Sequence, residues 1–350
     1  MKTFSTTMRL MLVSALCISM ASCLKTEIKG DSAVTPEQEP DVYEVSLGWA
    51  GEINIDEEPL TRAGEETSLY GIDVYSAPYS GEEEEGQKTT WTRYAYGFYG
   101  SSQNITINLL KGFKYKFAAT MIEDGQNKVG GYTNSDGSKY YYTPFYTTLD
   151  NAFSYQPTSP FSLGSGYTGL SEGGFYDRPH GMNRYYGELV DYIPGLHKDG
   201  KAKIHMKRTN YGAKFIAQGK LATAGSLEIK MANAKTVYMD LAAGETEYFD
   251  VYTFSNVKSA FTYDKEGEYT ETIDVTFNWC QADGKIVPFG THKITYKRNA
   301  TTVVTIKMDS TDAEDSIGIE LEEGELVEDG ENDVTIENGE RVDTNIEGNI

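Results

Sequence analysis

Histidine is scarce in this sequence, and the few histidines are too scattered to form a metal site. The chain of 350 residues has four of them, without the short spacing of zinc ligands. They are His180, His197, His205 and His292. The sequence also lacks G-x-S-x-G, H-E-x-x-H and a phosphate-binding loop. We therefore expect no enzyme activity, no metal and no cofactor.

Basic residues are also few compared with acidic residues. Lys and Arg number 31 against 53 Asp and Glu, which leaves a formal net charge of −22. Residues 309–350 alone hold 16 acidic residues and one basic residue, Arg341. This balance argues against nucleic acid or an anionic membrane surface as a partner. We interpret 309–350 as a solvated acidic tail, or as a segment that orders on a partner through V-T-I at 334–336.

Long hydrophobic runs are absent after the N-terminus. Lys2 and Arg9 accompany an apolar core at 10–18, which is too short to span a bilayer as a mature helix. Ala21 and Ser22 then precede Cys23. Residues 1–22 therefore read as a secretory signal peptide, and the small-small-Cys ending resembles the bacterial lipobox. That resemblance implies acylation of Cys23, which becomes the N-terminus; the alternative is an ordinary signal peptide with an incidental cysteine.

Cysteine is nearly absent from the mature chain predicted in this way. Cys17 leaves with the signal peptide and Cys23 carries lipid, so only Cys280 remains and no intramolecular disulfide can form. Cys280 ends the strand-like run T-F-N-W-C, and we expect it to be a buried thiol.

Helical periodicity is absent from long windows, whereas alternation with period two recurs along the chain. In residues 43–55 the side chains of Tyr43, Val45, Leu47 and Trp49 share one parity, which predicts a half-buried strand. Later strands are predicted at 202–206, 213–217, 227–231, 236–241, 247–254, 271–279, 286–296 and 301–308. The pattern indicates an all-β protein, most simply two antiparallel β-sandwich domains.

A long loop region interrupts this rhythm. Residues 130–192 are rich in Gly, Ser and Thr and contain 11 tyrosines and four phenylalanines. These rings either cover the edge of a sandwich or form a surface that contacts glycans or proteins. The candidate ligand surface consists of Tyr140, Tyr141, Tyr142, Tyr146, Tyr185 and Tyr186.

A polar linker separates the first predicted strand from the strand that starts at Leu69. Arg62 is its only arginine and lies between Thr61 and Ala63. An arginine in an exposed acidic linker is accessible to a trypsin-like protease, although it is equally typical of a solvated linker.

Taken together, these motifs resemble the fimbrillins, the pilins of Bacteroides-type bacteria. The residues that carry the resemblance are the lipobox, T-R-A before L-Y-G-I-D-V-Y, and K-R-N-A-T-T-V-V-T-I-K-M at 297–308. The resemblance implies two transthyretin-like β-sandwich domains, at 63–200 and 201–308, after an N-terminal strand and cleavable linker at 23–62. It also implies a lipid anchor in the outer membrane and assembly into surface fimbriae with other pilin subunits.

In this family the N-terminal strand is removed by an arginine-directed protease and replaced by a strand of a neighbouring subunit. The resemblance therefore assigns cleavage to Arg62 and Ala63, and displacement to the strand with Tyr43, Val45, Leu47 and Trp49. The tail is a weak match to a donor strand, since its sparse apolar residues keep one parity amid charge. An uncut anchor or accessory subunit is an equal alternative, and a monomeric glycan-binding outer-membrane lipoprotein using 130–192 is the rival function. Host or bacterial glycans and proteins are further candidate partners.

Overall fold

The computed structural model describes residues 41–52, 67–81, 88–197, 199–262, 269–309 and 319–326. These residues form an all-β protein with two short helices, α1 (Gly125–Lys128) and α2 (Val257–Thr262). The predicted fold class is therefore confirmed. No helix among the described residues is long and apolar enough to cross a membrane.

An eight-stranded sheet forms the first half of the fold. Its strands are β1 (Val42–Gly51), β2 (Leu69–Pro78), β3 (Thr92–Tyr99), β4 (Thr106–Leu110), β5 (Phe113–Ile122), β9 (Ala152–Ser154), β12 (Arg184–Tyr192) and β13 (Lys201–Arg208). They are ordered β4-β1-β13-β12-β5-β2-β3-β9. We call this unit the first sandwich, because side chains from seven of its strands meet in one core.

The first sandwich is made by one sheet that folds over onto itself. Strand β4 ends the sheet on one side, and β3 lies next to the opposite end. The Tyr94 hydroxyl on β3 nevertheless donates a hydrogen bond to the Asn108 carbonyl on β4, at 2.7 Å. The Asn108 amide donates to the Tyr155 hydroxyl at 3.1 Å. Side chains thus close the gap that the backbone ladder leaves open.

The second sandwich contains two four-stranded sheets, ordered β17-β14-β20-β21 and β16-β15-β18-β19. Its strands are β14 (Asn210–Gln218), β15 (Ser226–Met231), β16 (Val237–Asp240), β17 (Glu247–Thr253), β18 (Thr270–Cys280), β19 (Ile286–Lys297), β20 (Ala300–Lys307) and β21 (Ile319–Glu325). Alternate residues of both sheets fill one core. Phe215 and Phe277 meet there with ring centroids 6.0 Å apart.

Residues 125–182 cover the outer face of the first sandwich, and we call them the covering layer. They include α1 and the short strands β6 (Gly131–Thr133), β7 (Lys139–Tyr141), β8 (Thr147–Thr148), β10 (Thr168–Gly169) and β11 (Phe175–Tyr176). Their apolar side chains pack on Phe98, Ile122 and Tyr186 of the sheet. The sheet is therefore buried on both faces in this part of the fold.

Arg184 ties the covering layer to the first sandwich. It starts β12 and its side chain is fully buried, at 0% exposure. The guanidinium donates to Thr120 Oγ1 (3.1 Å), Leu163 O (3.0 Å), Gly166 O (3.3 Å) and Thr168 Oγ1 (3.3 Å). Burial lowers the pKa of Arg184 to about 9, so the group stays charged at neutral pH.

Three features of the fold correct the sequence interpretation. Strand β13, assigned above to the second domain, pairs with β1 and β12 of the first sandwich. Alternation reveals a strand but not the sheet that it joins, so the end of the first sandwich moves to Arg208. The sheets are also not purely antiparallel, because β1–β13 and β14–β20 are parallel pairs. The acidic tail contributes β21, which pairs with β20.

We expect Arg184→Met to lower the free energy of unfolding by about 3 kcal/mol or more, because several buried acceptors lose their donor together. Urea denaturation followed by far-UV circular dichroism measures the midpoint at unchanged slope. Lys203→Met, an exposed change on β13, is the control and should stay within about 0.5 kcal/mol of wild type. Equal midpoints for the two variants would contradict the role of Arg184.

Candidate assembly strand and aromatic surface

Strand β1 lies inside the sheet of the first sandwich, between β4 and β13. It is antiparallel to β4, with Val45 opposite Ile107, and parallel to β13, with Leu47 opposite Ala202. The Leu47 amide donates to the Ile105 carbonyl at 2.8 Å. Among the described strands β4 pairs with β1 alone, so β1 connects β4 to the rest of the sheet.

The structure brings the four predicted displaced-strand residues onto one face. Val45 and Leu47 are buried at 1% and 7% exposure, and Tyr43 and Trp49 are half-buried against the same core. The Trp49 ring centroid lies 5.3 Å from that of Tyr70, and its indole N–H donates to the Ser102 carbonyl at 3.4 Å. If β1 left the sheet, the core side chains that it contacts and the facing backbone groups of β4 and β13 would be exposed.

The predicted lipidation and processing sites lie outside the described residues. Cys23 falls in the first forty positions, and Arg62 and Ala63 fall within 53–66. In sequence, the processing site stands between the end of β1 and the start of β2. A cut there would leave β1 without a covalent link to the remainder of the sheet.

Three of the six tyrosines predicted as a ligand surface are buried. Tyr141 is fully buried and meets the Phe98 ring edge-on at 5.6 Å. Tyr185 and Tyr186 are also buried, because one points into the core of the first sandwich and the other under the covering layer. Alternation normally leaves one of two neighbouring strand residues in water, but here both faces are covered. These three rings are therefore removed from the candidate surface.

Two of the three remaining rings, Tyr140 and Tyr142, belong to a continuous group, which we call the aromatic strip. Tyr132 stacks on Tyr140 at 4.9 Å, Tyr142 lies 5.5 Å from Phe175, and Phe175 stacks on Tyr167 at 5.9 Å. Tyr142 also lies 6.3 Å from Tyr132, which joins the two halves. Tyr132, Tyr167 and Phe175 are exposed, whereas Tyr140 and Tyr142 are half-buried. Exposed stacked aromatics of this kind offer a flat face to a sugar or a protein.

Tyr146 lies near this strip and is exposed. Partial burial, together with the nearby phenols of Tyr132, Tyr146 and Tyr142, raises the pKa of Tyr140, so its hydroxyl remains protonated at neutral pH. Tyr132, Tyr167 and Phe175 were missed by the sequence reasoning. They lie in the predicted loop region, but a loop has no periodicity that would show which of its rings meet.

His180 ties the covering layer to the second sandwich. Its Nδ1 lies 2.9 Å from Asp250 Oδ2, and its Nε2 lies 2.8 Å from Glu172 Oε1. Lys235 Nζ donates to the same Glu172 oxygen at 2.8 Å. The hydrogen bond to Asp250, supported by the charges of both carboxylates, raises the pKa of His180 against the opposing effect of burial. The imidazole of His180 thus lies between two carboxylates.

Cys280 is partly exposed, which corrects the prediction of a buried thiol. Phe277 and Trp279 point into the core of the second sandwich, so alternation turns Cys280 outward. The described residues contain no group of three His, Cys, Asp or Glu side chains that could hold a metal ion.

No protein-family model and no curated protein matches this sequence. Solved structures with similarity include the fimbrial anchor protein of Porphyromonas gingivalis, with 8% identity, a TM-score of 0.35, and coverage of 80% of this chain and 96% of that chain. The C-terminally truncated tip fimbrial protein of the same organism has 10% identity and a TM-score of 0.28, with 81% and 98% covered. A Bacteroides eggerthii protein provisionally assigned to cell adhesion has 12% identity and a TM-score of 0.31, with 82% and 96% covered.

Two of these neighbours are fimbrial proteins. All three TM-scores lie below 0.5, so these likenesses carry no argument about the function of this chain.

We expect the stability contributed by His180 to depend on pH. A histidine whose folded pKa is raised stabilises the fold fully below its unfolded pKa of about 6.5, and this contribution is lost as pH rises through the folded pKa. Urea unfolding from about pH 5.5 to about pH 9 should show His180→Gln approaching the wild type as pH rises. His197→Gln, outside this network, is the control. A constant difference between wild type and His180→Gln would contradict the assignment.

Proposed function

We propose that this chain is a fimbrillin-type surface lipoprotein, a structural or accessory pilus subunit in adhesion. In this proposal Cys23 carries lipid in the outer membrane, cleavage between Arg62 and Ala63 releases β1, and a strand from another subunit replaces it. The proposal is supported by the position of β1, which is an internal strand of the first sandwich, and by Arg62, which stands in the link that follows β1. In this proposal the chain has two domains, which join near residue 208.

The energetics of an empty β1 position favour replacement. Burial of a side chain such as Val45 or Leu47 is worth about 1.5–3 kcal/mol, and both would lose their place in the core. The facing amides and carbonyls of β4 and β13 would lose their ladder as well. An extended strand with alternating apolar residues restores both kinds of contact, which is the chemistry of β-augmentation.

The proposed partners are other pilin subunits, with a glycan or protein of the host or bacterial surface as the target of adhesion. Without cleavage, β1 stays in place and the lipid stays attached to the folded chain. The protein would then act as an anchor or accessory subunit. The fate of Arg62 therefore distinguishes a polymerising subunit from an anchor.

We expect sheared surface material to contain protein that begins at Ala63, because cleavage separates the lipid from the fold. Mass spectrometry of the N-terminus in the sheared and outer-membrane fractions measures this. Arg62→Ala should retain acylated Cys23 in every fraction and lose high-mass ladders on gels.

Lys88→Ala is the matched control, since Lys88 is the next basic residue along the chain. It should process and polymerise as the wild type does. Acylated Cys23 in every fraction of the wild type would remove the polymerisation mechanism and leave the anchor role.

The aromatic strip supports a second candidate function, a monomeric glycan-binding lipoprotein. Its rings are exposed or half-buried, and they form one continuous face instead of isolated contacts. The covering layer that bears them is fixed to the first sandwich by Arg184 and to the second by His180. A rigid aromatic platform loses little entropy when a flat ligand stacks on it.

We expect Tyr142→Ala to weaken binding of short neutral hexose oligosaccharides by about tenfold, because Tyr142 joins the two halves of the strip. Isothermal titration calorimetry measures the affinity. Tyr238→Ala is the control, since Tyr238 is exposed on the second sandwich, away from these rings. Equal affinities for the two variants would exclude the strip as the binding face.

A further inference from the structure

The end of β1 reaches the second sandwich through Glu52. Its carboxylate accepts hydrogen bonds from Arg298 Nη1, at 2.9 Å to Oε1 and 2.8 Å to Oε2. Oε2 also accepts from the backbone N–H of Arg208, at 2.7 Å. Arg298 follows β19 of the second sandwich, whereas Arg208 ends β13 of the first. The Glu52 carboxylate at the end of β1 therefore contacts both sandwiches.

Both arginines are built into the fold, and the Glu52 carboxylate supplies negative charge to the guanidinium of Arg298. Arg298 is 7% exposed and Arg208 is 5% exposed, while Glu52 lies at the surface. Arg298 Nη1 also donates to the Arg208 carbonyl at 3.0 Å. The Arg208 guanidinium donates to Asn183 Oδ1 at 2.7 Å, and its Nε is buried with no acceptor among the described residues. A buried guanidinium such as that of Arg298 is costly without a counter-charge, so this position favours an acidic side chain.

Gly51 turns the chain so that Glu52 can reach this position. Its φ is +91°, and a Cβ at Gly51 would lie 2.5 Å from the Met206 carbonyl oxygen. The Glu52 amide then donates to that same oxygen at 2.9 Å. The site therefore fits a glycine followed by an acidic residue at the end of an alternating strand.

We propose that the end of the β1 position is a carboxylate-binding site, and that any strand replacing β1 must present glycine and an acidic residue there. The proposal rests on the strand exchange proposed above. Its ligand is the side-chain carboxylate of an extended strand whose apolar residues occupy the positions of Val45, Leu47 and Trp49. The Arg298 side chain and the Arg208 backbone N–H set the register of that strand, because a shift by one residue would move the acid away from them.

The site favours a strand from a different subunit over the tail of a second copy. In β1 the apolar residues stand two, four and six positions before Gly51. Residues 309–350 contain three Gly-Glu pairs, and none has apolar side chains at all three positions. Before Gly339, for example, Val334 and Ile336 stand at odd spacings and would face away from the core.

Peptide competition on the full chain tests this site. The chain is cut with an arginine-specific protease, and mass spectrometry verifies a new N-terminus at Ala63. A labelled peptide with the sequence of residues 41–54 then competes with the resident strand, alongside its Glu52→Gln and Glu44→Gln versions. Glu44 is the matched control, because it lies on the same strand and points to solvent.

We expect the Glu52→Gln peptide to be incorporated at least about tenfold less than the other two, since it lacks the charge for a charge-assisted hydrogen bond. In an Arg298→Met chain, the wild-type and Glu52→Gln peptides should differ by less than about twofold. Equal incorporation of the Glu52→Gln and Glu44→Gln peptides would overturn the proposal.

Failure of the strand exchange itself is distinguishable. If Ala63 does not become an N-terminus, or no peptide enters, the proposed function fails. The carboxylate site is then tested by hydrogen exchange on the uncut chain. Hydrogen exchange should then be about tenfold faster at Ala50–Glu52 and at Arg298 in Glu52→Gln than in Glu44→Gln. Equal protection in the two variants overturns the inference.

Discussion

The backbone groups of β4 and β13 require a strand between them, and the arrangement of the first sandwich depends on this requirement. Unpaired amides and carbonyls inside a sheet are costly, because each gives up hydrogen bonds with water. Strand β1 supplies the partners on both sides, and its Val45 and Leu47 complete the core beneath. Yet β1 comes from the start of the described chain and is parallel to a strand about 150 residues later. The strand that fills the gap between β4 and β13 is thus joined covalently to the other strands of the sheet only through the segment that leads to β2.

The covering layer shows the same principle on the other face of the sheet. A long loop region needs partners for its polar backbone when it lies on an apolar sheet. Arg184 provides several of them from within the sheet, and His180 and Arg178 bind acidic groups of the second sandwich. This bracing explains why many of the aromatic rings are core residues, while the aromatic strip remains as a fixed outer face.

Period-two alternation predicted most of the large strands, and β13 to β20 agree closely with the predicted segments. It could not predict which sheet β13 joins, because the same alternation suits either core. It also could not show that Tyr185 and Tyr186 are both buried, since that depends on the distant covering layer. The Gly51 turn depends on a contact with Met206, and the Glu52–Arg298 pair joins residues 246 positions apart, which spacing in a single sequence does not reveal. The sequence predicted only part of the aromatic strip, because a loop has no periodicity that would show which of its rings meet.

In the proposed exchange, cleavage of the link between β1 and β2 would have a stronger effect than a difference in affinity alone. While the two strands belong to one chain, β1 faces its site at an effective concentration on the order of millimolar. A donor strand on another subunit would be far more dilute and would lose that competition even with equal contacts. Cutting the link would remove this advantage of the resident strand, so the proposed exchange would then depend on the quality of the contacts. The buried Arg298, together with the backbone N–H of Arg208, would make a carboxylate one of the contacts by which the donor is selected.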